Sequence, residues 1–202
     1  MKYKAIAFDY SGVITESSGS DFTLKACHIL DISQDEFYAV YLKHNHLCNT
    51  TEMDWKVFWK ILLKEWQRED KEAEFFKYIA SDKSDTKYNY ELLDLIKKLK
   101  VQGYKIGLLS NNSSKLNQKL KDAGIDVLFD EILISGDVGC MKPNIKIFQM
   151  LCERLAIKPE ELVFIDDFEK NFINSDKVGF TPILYLNMED LKNKFDQIGI
   201  IR

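Results

Sequence analysis

Four stretches of this 202-residue chain end an apolar run, or follow one closely, on a group that could do chemistry. Asp9 closes the run in IAFDYSGVIT, Ser110 and Asn111 close KIGLLSN, Asp166 and Asp167 close LVFIDD, and Lys142 comes after EILIS and the loop GDVGCM. Each alone has a plainer reading. An aspartate at a strand end is more often a turn or helix N-cap residue, and a lysine before Pro143 is more often solvated surface. Their shared placement makes the set more than its members. Carboxylates brought together repel, and burying them unpaired costs several kcal/mol or shifts their pKa values. A hard divalent cation resolves that conflict, and Mg2+ takes one or two carboxylates plus backbone oxygen, water and a substrate phosphate. Lys142 adds positive charge, while the Ser110 hydroxyl and the amides opening the next helix suit a phosphate or an oxyanion. A nucleophilic carboxylate, a metal, a lysine and a hydroxyl are the parts that phosphoryl transfer needs.

These groups share one edge only if the runs before them are strands of one sheet. Residues 2–8, 104–110, 131–136, 161–166 and 182–186 read as short apolar strands. Between them YNYELLDLIKKLKVQG, SSKLNQKLKDAG, NIKIFQMLCERLAI, a segment from about Glu169 to Val178 and a last one from Glu189 read as helices. Such alternation predicts an α/β fold, a doubly wound parallel sheet covered by helices on both faces, with ligands at the carboxyl ends of the strands. Residues 21–80 break the alternation with helices alone. Ser33 and Glu36 form a capping box, and Thr51 opens TEMDWKVFWKILLKEW. There Trp55, Phe58, Trp59, Leu62, Leu63 and Trp66 recur at the helical period, an aromatic stripe read first as the core of a small bundle and second as a wall over a ligand. The expected organisation is a core of residues 1–15 and 86–202 with an all-α insertion over 16–85.

The charge balance, 28 basic against 32 acidic residues, gives a net −4 and no global positive field for nucleic acid or an anionic membrane. The opening MKYKAIAFDY is too soon interrupted for a secretory signal, and no run reaches the ~20 apolar residues of a membrane span, so a cytoplasmic location is expected. Cys27, Cys48, Cys140 and Cys152 form no CxxC pair and read as buried thiols; His28, His44 and His46 are too loosely spaced for a metal set.

In FDYSGVIT, LLSNNS, MKPNIKIF and FIDDFEKN, taken in that order, the chain resembles the haloacid dehalogenase-like hydrolase superfamily along nearly its whole length, including a helical cap inserted after the first strand of a Rossmannoid core. That resemblance implies Asp9 as a nucleophile forming an aspartyl-phosphate from a small phosphorylated substrate. It implies Ser110, helped by the Asn111 side chain or backbone, on the phosphoryl group, and Lys142 holding nucleophile and phosphate in register. Asp167 is expected to touch Mg2+ directly, Asp166 directly or through water, and the Ser11 carbonyl to complete the metal site, with Asn171 orienting the acidic loop. Phosphatases of this superfamily normally carry an acid/base aspartate where this chain has Ser11. Three outcomes follow from that change. One is a phosphatase that is slow, confined to good leaving groups, or served by another acid such as Glu16 or Glu52. Another is a metal-independent 2-haloacid dehalogenase, against which the pair Asp166 and Asp167 argues. The third is a non-catalytic or regulatory binding protein. Lys43, His44, Trp55 and Trp59 are the cap side chains first considered for substrate selection.

Overall fold

The computed structural model describes residues 2–16, 19–51, 53–81 and 86–201. Five strands, β1 (Ala5–Phe8), β2 (Lys105–Ser110), β3 (Glu131–Ile134), β4 (Leu162–Asp166) and β5 (Thr181–Leu184), form one parallel sheet in the order β3-β2-β1-β4-β5. Phe8 pairs with Leu108 on one side and Ile165 on the other, so the three central strands end within two residues of one another, β4 running one residue and β2 two residues past β1. The chain runs outward from β1 through β2 to β3, then returns across the sheet to β4 and β5. The reversal lies between β1 and β4, the position where open α/β sheets bind ligands.

Alternation along β1 assigns its side chains to two cores. Ile6 and Phe8 face one layer with α6 (Tyr90–Val101), α7 (Leu116–Asp122) and α11 (Met188–Gln197), through residues such as Leu92, Ile96, Leu120 and Phe195. Ala5 and Ala7 face the other layer, where α9 (Ile145–Arg154) presents Ile147, Phe148 and Leu151. With both faces covered, the central strands read as continuous apolar runs.

The insertion builds a third core. Helices α1 (Gly19–Leu30), α2 (Gln34–His44), α3 (His46–Asn49), α4 (Trp55–Glu65) and α5 (Glu72–Ser81) enclose Leu30, Phe37, Phe58, Leu62, Leu63, Trp66 and Phe75. The capping box forms: the Glu36 amide donates to the Ser33 hydroxyl at 3.2 Å and the Ser33 amide to the Glu36 carboxylate at 2.8 Å. Helix α4 starts later than expected. Its N-cap is Asp54, whose carboxylate accepts from the Lys56 and Val57 amides, while the Thr51 hydroxyl is engaged with Leu47 and Met53 outside the helix. Glu52 lies outside the described residues. Helix α3 packs on the short α8 (Ser135–Val138) that follows β3, which brings the insertion to the carboxyl edge of the sheet.

The expected helix over 169–178 is instead a 3-10 turn, Glu169–Phe172, and the one-turn α10 (Ser175–Val178). Its first half turns around a buried carboxylate. Among the described residues no helix is long and apolar enough to cross a membrane.

Phe148 stacks on Phe180 at a 4.6 Å centroid distance and meets Phe164 edge-on at 5.5 Å, with no exposed surface. Phe148→Ala is expected to lower the free energy of unfolding by about 3–5 kcal/mol, read as a fall in the urea midpoint.

Candidate active site

Asp9 follows β1 directly, and its amide donates to the Ile165 carbonyl at 2.8 Å, so it continues the pairing with β4. Asp166 ends β4 and is wholly buried; Asp9 is 8% exposed. Lys142 lies between the two carboxylates, 1% exposed, with the Phe164 ring 5.1 Å from its ammonium. Its Nζ donates to Asp9 Oδ1 at 2.8 Å, to Asp166 Oδ2 at 2.6 Å and to the Leu109 carbonyl at 3.0 Å. An ammonium has three protons, and all three are used.

Asp166 receives three donors in all. Its Oδ2 also accepts from Asn171 Nδ2 at 2.8 Å, and its Oδ1 accepts from the Phe168 amide at 2.8 Å. The chain after β4 therefore bends back onto this carboxylate, which is why no regular helix begins at Glu169. Asp167, the next residue, stands at the exposed rim. One oxygen from each of Asp9, Asp166 and Asp167 falls within 4.8 Å of the others. These are hard oxygen donors in excess over the single lysine, a set that fits a magnesium ion.

Gly12 brings the first loop against that rim. Its φ is +77°, and a Cβ there would lie 2.0 Å from Asp167 Oδ2. Only glycine meets both the left-handed backbone and the close approach. Ser11, just before it, is exposed and bridges to Thr15 within the same loop. Ser110, 1% exposed, ends β2 beside these groups.

The carboxamide of Asn111, expected to help Ser110 through its side chain or its backbone, is bonded to the main chain of Lys142. The insertion residues singled out for substrate selection have partners of their own. Lys43 pairs with Glu65 at 2.6 Å, His44 bonds the same carboxylate, Trp59 packs among Phe37, Phe58 and Phe75, and Trp55 lies edge-on to Phe76. Glu16 is exposed, with its amide bonded to the Lys87 carbonyl where the insertion rejoins the core. All four cysteines are free, three of them buried. Gly12, the Leu109 carbonyl and the Phe164 ring are the contributors that sequence reasoning missed. Only Gly12 left a trace there, as the glycine after Ser11.

Burial penalises charge throughout this cluster. Burial, reinforced by Asp166 and opposed by Lys142, pushes the Asp9 carboxyl up to about 7. Burial would strip the proton from Lys142, but Asp9 and Asp166 outweigh it and hold the ammonium above its ordinary value. Desolvation of its carboxyl and the neighbouring Asp166 also raise Asp167.

A carboxyl whose pKa is higher folded than unfolded keeps a proton that the unfolded chain releases. The metal-free protein therefore loses stability as pH climbs from about 4 to about 7, and the full cost stands above that window. Asp9→Asn cannot ionise. In EDTA at pH 8 it is expected to unfold several degrees above the wild type, with the difference vanishing toward pH 4, as read by scanning calorimetry.

The model of the family described as haloacid dehalogenase-like hydrolase matches residues 3–171. A glyceraldehyde 3-phosphate phosphatase of Methanothermobacter thermautotrophicus is 38% identical over 88 residues, 43% of this chain and 39% of that protein. An (S)-2-haloacid dehalogenase of Burkholderia cepacia is 32% identical over 91 residues, 45% of this chain and 39% of that protein. The chain thus spans less than half the length of these curated relatives. A solved structure of a HAD family enzyme from Bacteroides thetaiotaomicron, in complex with magnesium and inorganic phosphate, shares the fold with a TM-score of 0.69 at 20% identity, over 96% of this chain and 99% of that one. With the family model covering most of its length and a buried lysine between two strand-end aspartates, this chain belongs to the haloacid dehalogenase-like hydrolases.

Proposed function

We propose that the protein is a Mg2+-dependent phosphohydrolase acting on a small phosphorylated metabolite through an aspartyl-phosphate on Asp9. The observation that carries this reading is the buried Asp9 carboxylate, pinned through Oδ1 by a fully committed Lys142, at an edge that also gathers Asp166 and Asp167. Asp9 and Asp167, with the main-chain carbonyl of Ser11, would hold the metal, and Asp166 would join directly or through water while Lys142, Asn171 and the Phe168 amide fix its position. When bound, the ion supplies positive charge to the transferred group.

An Asp9 carboxylate oxygen attacks phosphorus as the bond to the leaving oxygen breaks, and that oxygen must gain a proton. Water then attacks phosphorus, the acyl-phosphate P–O bond breaks, and the carboxylate returns with release of inorganic phosphate. Lys142 fixes the nucleophile's orientation, and Ser110 donates to the phosphoryl group. The likeness to a glyceraldehyde 3-phosphate phosphatase supports a small phosphate ester as substrate.

Ser11 sets the limit on rate. A hydroxyl donates a hydrogen bond but exchanges no proton near neutral pH, so the protonation step loses about 10²–10⁴ in rate. Substrates whose leaving group departs without a proton are least affected. Metal-free dehalogenation of a 2-haloacid, the alternative that the dehalogenase relative brings to mind, would have no use for Asp167 and its close approach to Gly12. A purely binding role leaves unexplained a nucleophile-lysine pair held at 2.8 Å.

Two measurements test this reading. Phosphate release from an aryl phosphate is expected to require Mg2+, to stop in EDTA and to fall to background in Asp9→Asn; equal rates in wild type and variant would refute the nucleophile. Ser11→Asp is expected to raise turnover of an alkyl phosphate by a larger factor than that of an aryl phosphate, since poor leaving groups depend most on an acid. Equal factors would mean that another group already donates the proton.

A further inference from the structure

We propose that Asn111 acts through Lys142 and not on the substrate: it is a positioning residue that holds the main chain of the lysine. This rests on the phosphohydrolase reading above. The Lys142 amide donates to Asn111 Oδ1 at 2.8 Å, and Asn111 Nδ2 donates to the Lys142 carbonyl at 3.0 Å. One planar carboxamide thus closes a ring with both peptide groups of a single residue, as a strand neighbour would, just beyond the point where β2 ends at Ser110. Two residues earlier, the Leu109 carbonyl takes the third proton of the same lysine's ammonium. The end of β2 therefore grips Lys142 at both ends, at the backbone through Asn111 and at the side-chain tip through Leu109.

The grip matters because the lysine's own segment is irregular. Lys142 precedes a proline, which has no amide proton to give, and the Pro143 carbonyl is held by another asparagine side chain, Asn174, at 2.9 Å. Lys142 belongs to neither a strand nor a helix, so its backbone placement depends on side chains. From that anchor the ammonium must reach three acceptors within 3.0 Å at once. A main-chain shift of about 1 Å breaks that simultaneous fit, and misplacement on this scale costs about 100-fold in rate. A carboxamide whose acceptor and one donor are spent on Lys142 is also poorly placed to turn toward a phosphoryl group.

A double-mutant cycle with Lys142→Met distinguishes the roles, since that change removes the ammonium and leaves the backbone that Asn111 binds. Asn111→Ala in the wild-type background is expected to lower kcat by about 10–100-fold with KM changed less than about threefold. Asn111→Asp, which keeps the acceptor for the Lys142 amide but loses the donor to its carbonyl, should fall between. In the Lys142→Met background, Asn111→Ala should cost nothing further. An equal loss in both backgrounds, together with weaker inhibition by inorganic phosphate, would place Asn111 on the phosphoryl group and overturn the proposal. A crystal structure of the metal-free Asn111→Ala protein gives a readout independent of turnover, with Asn111→Asp used if that variant does not fold. The Lys142 ammonium is expected to leave Asp9 or Asp166, and an ammonium still bonded to both would overturn the proposal. Absence of any phosphatase turnover in the wild type would refute the functional reading while leaving this structural outcome to decide the role of Asn111.

Discussion

The arrangement depends on one buried cation. Lys142 places its ammonium between Asp9 and Asp166 at the carboxyl edge of the sheet, at 2.8 Å from one carboxylate and 2.6 Å from the other, and a buried cation needs such partners. The desolvation cost of such a group is offset by the hydrogen bonds it makes, and here the partners can be traced. The lysine spends three protons on two carboxylates and a strand carbonyl, and Asp166 receives three donors in return. These bonds make Asp166 a fixed element of the scaffold, while Asp167 stands at the exposed rim beside it.

The fold follows from the need to bring those groups level. A parallel order with β1 central puts the ends of β1, β2 and β4 side by side. Alternation along each strand buries one set of side chains in each layer and leaves the carboxyl edge to polar residues. The insertion leaves the core just after the Ser11 to Thr15 loop and rejoins it near Lys87, where the Glu16 amide closes the neck. Its contact through α3 and α8 then brings it over the same edge. Gly12 couples the first loop to the acidic one, because any side chain there would strike Asp167.

Much of this was legible in the sequence where a signal is local and periodic. Five apolar runs, four of them ending on or closely followed by Asp, Ser or Lys, marked the sheet and its polar edge, and the Ser33 box marked a helix start to the residue. The signal failed where long-range contacts overrode local preference. Thr51 looked like a cap but lost to Asp54, which reaches two amides of the first turn. The segment after Asp167 has helical composition, yet the pull of Asp166 on Phe168 and Asn171 bends it into a 3-10 turn. The bond between Asn111 and Lys142 joins residues 31 positions apart through main-chain atoms, which no residue type announces.

The proton inventory then explains why Ser11 matters more than its size suggests. Hydrolysis of an ester needs a group that releases a proton to the departing oxygen and recovers it from water. Lys142 cannot serve, since its protons are committed and the flanking carboxylates hold its pKa above the ordinary lysine value. Asp9 is the nucleophile in this reading and must be free of its proton to act, although burial holds its carboxyl near neutrality. Asp166 is held by three donors, and Asp167, at the exposed rim, is assigned to the metal in the same reading. Ser11 stands exposed in the loop that Gly12 brings against the acidic rim, and a hydroxyl exchanges no proton near neutral pH. On the proposed phosphohydrolase reading, bond formation at phosphorus is better provided for than departure of the alcohol, and selectivity among phosphate esters would follow the acidity of the group that leaves.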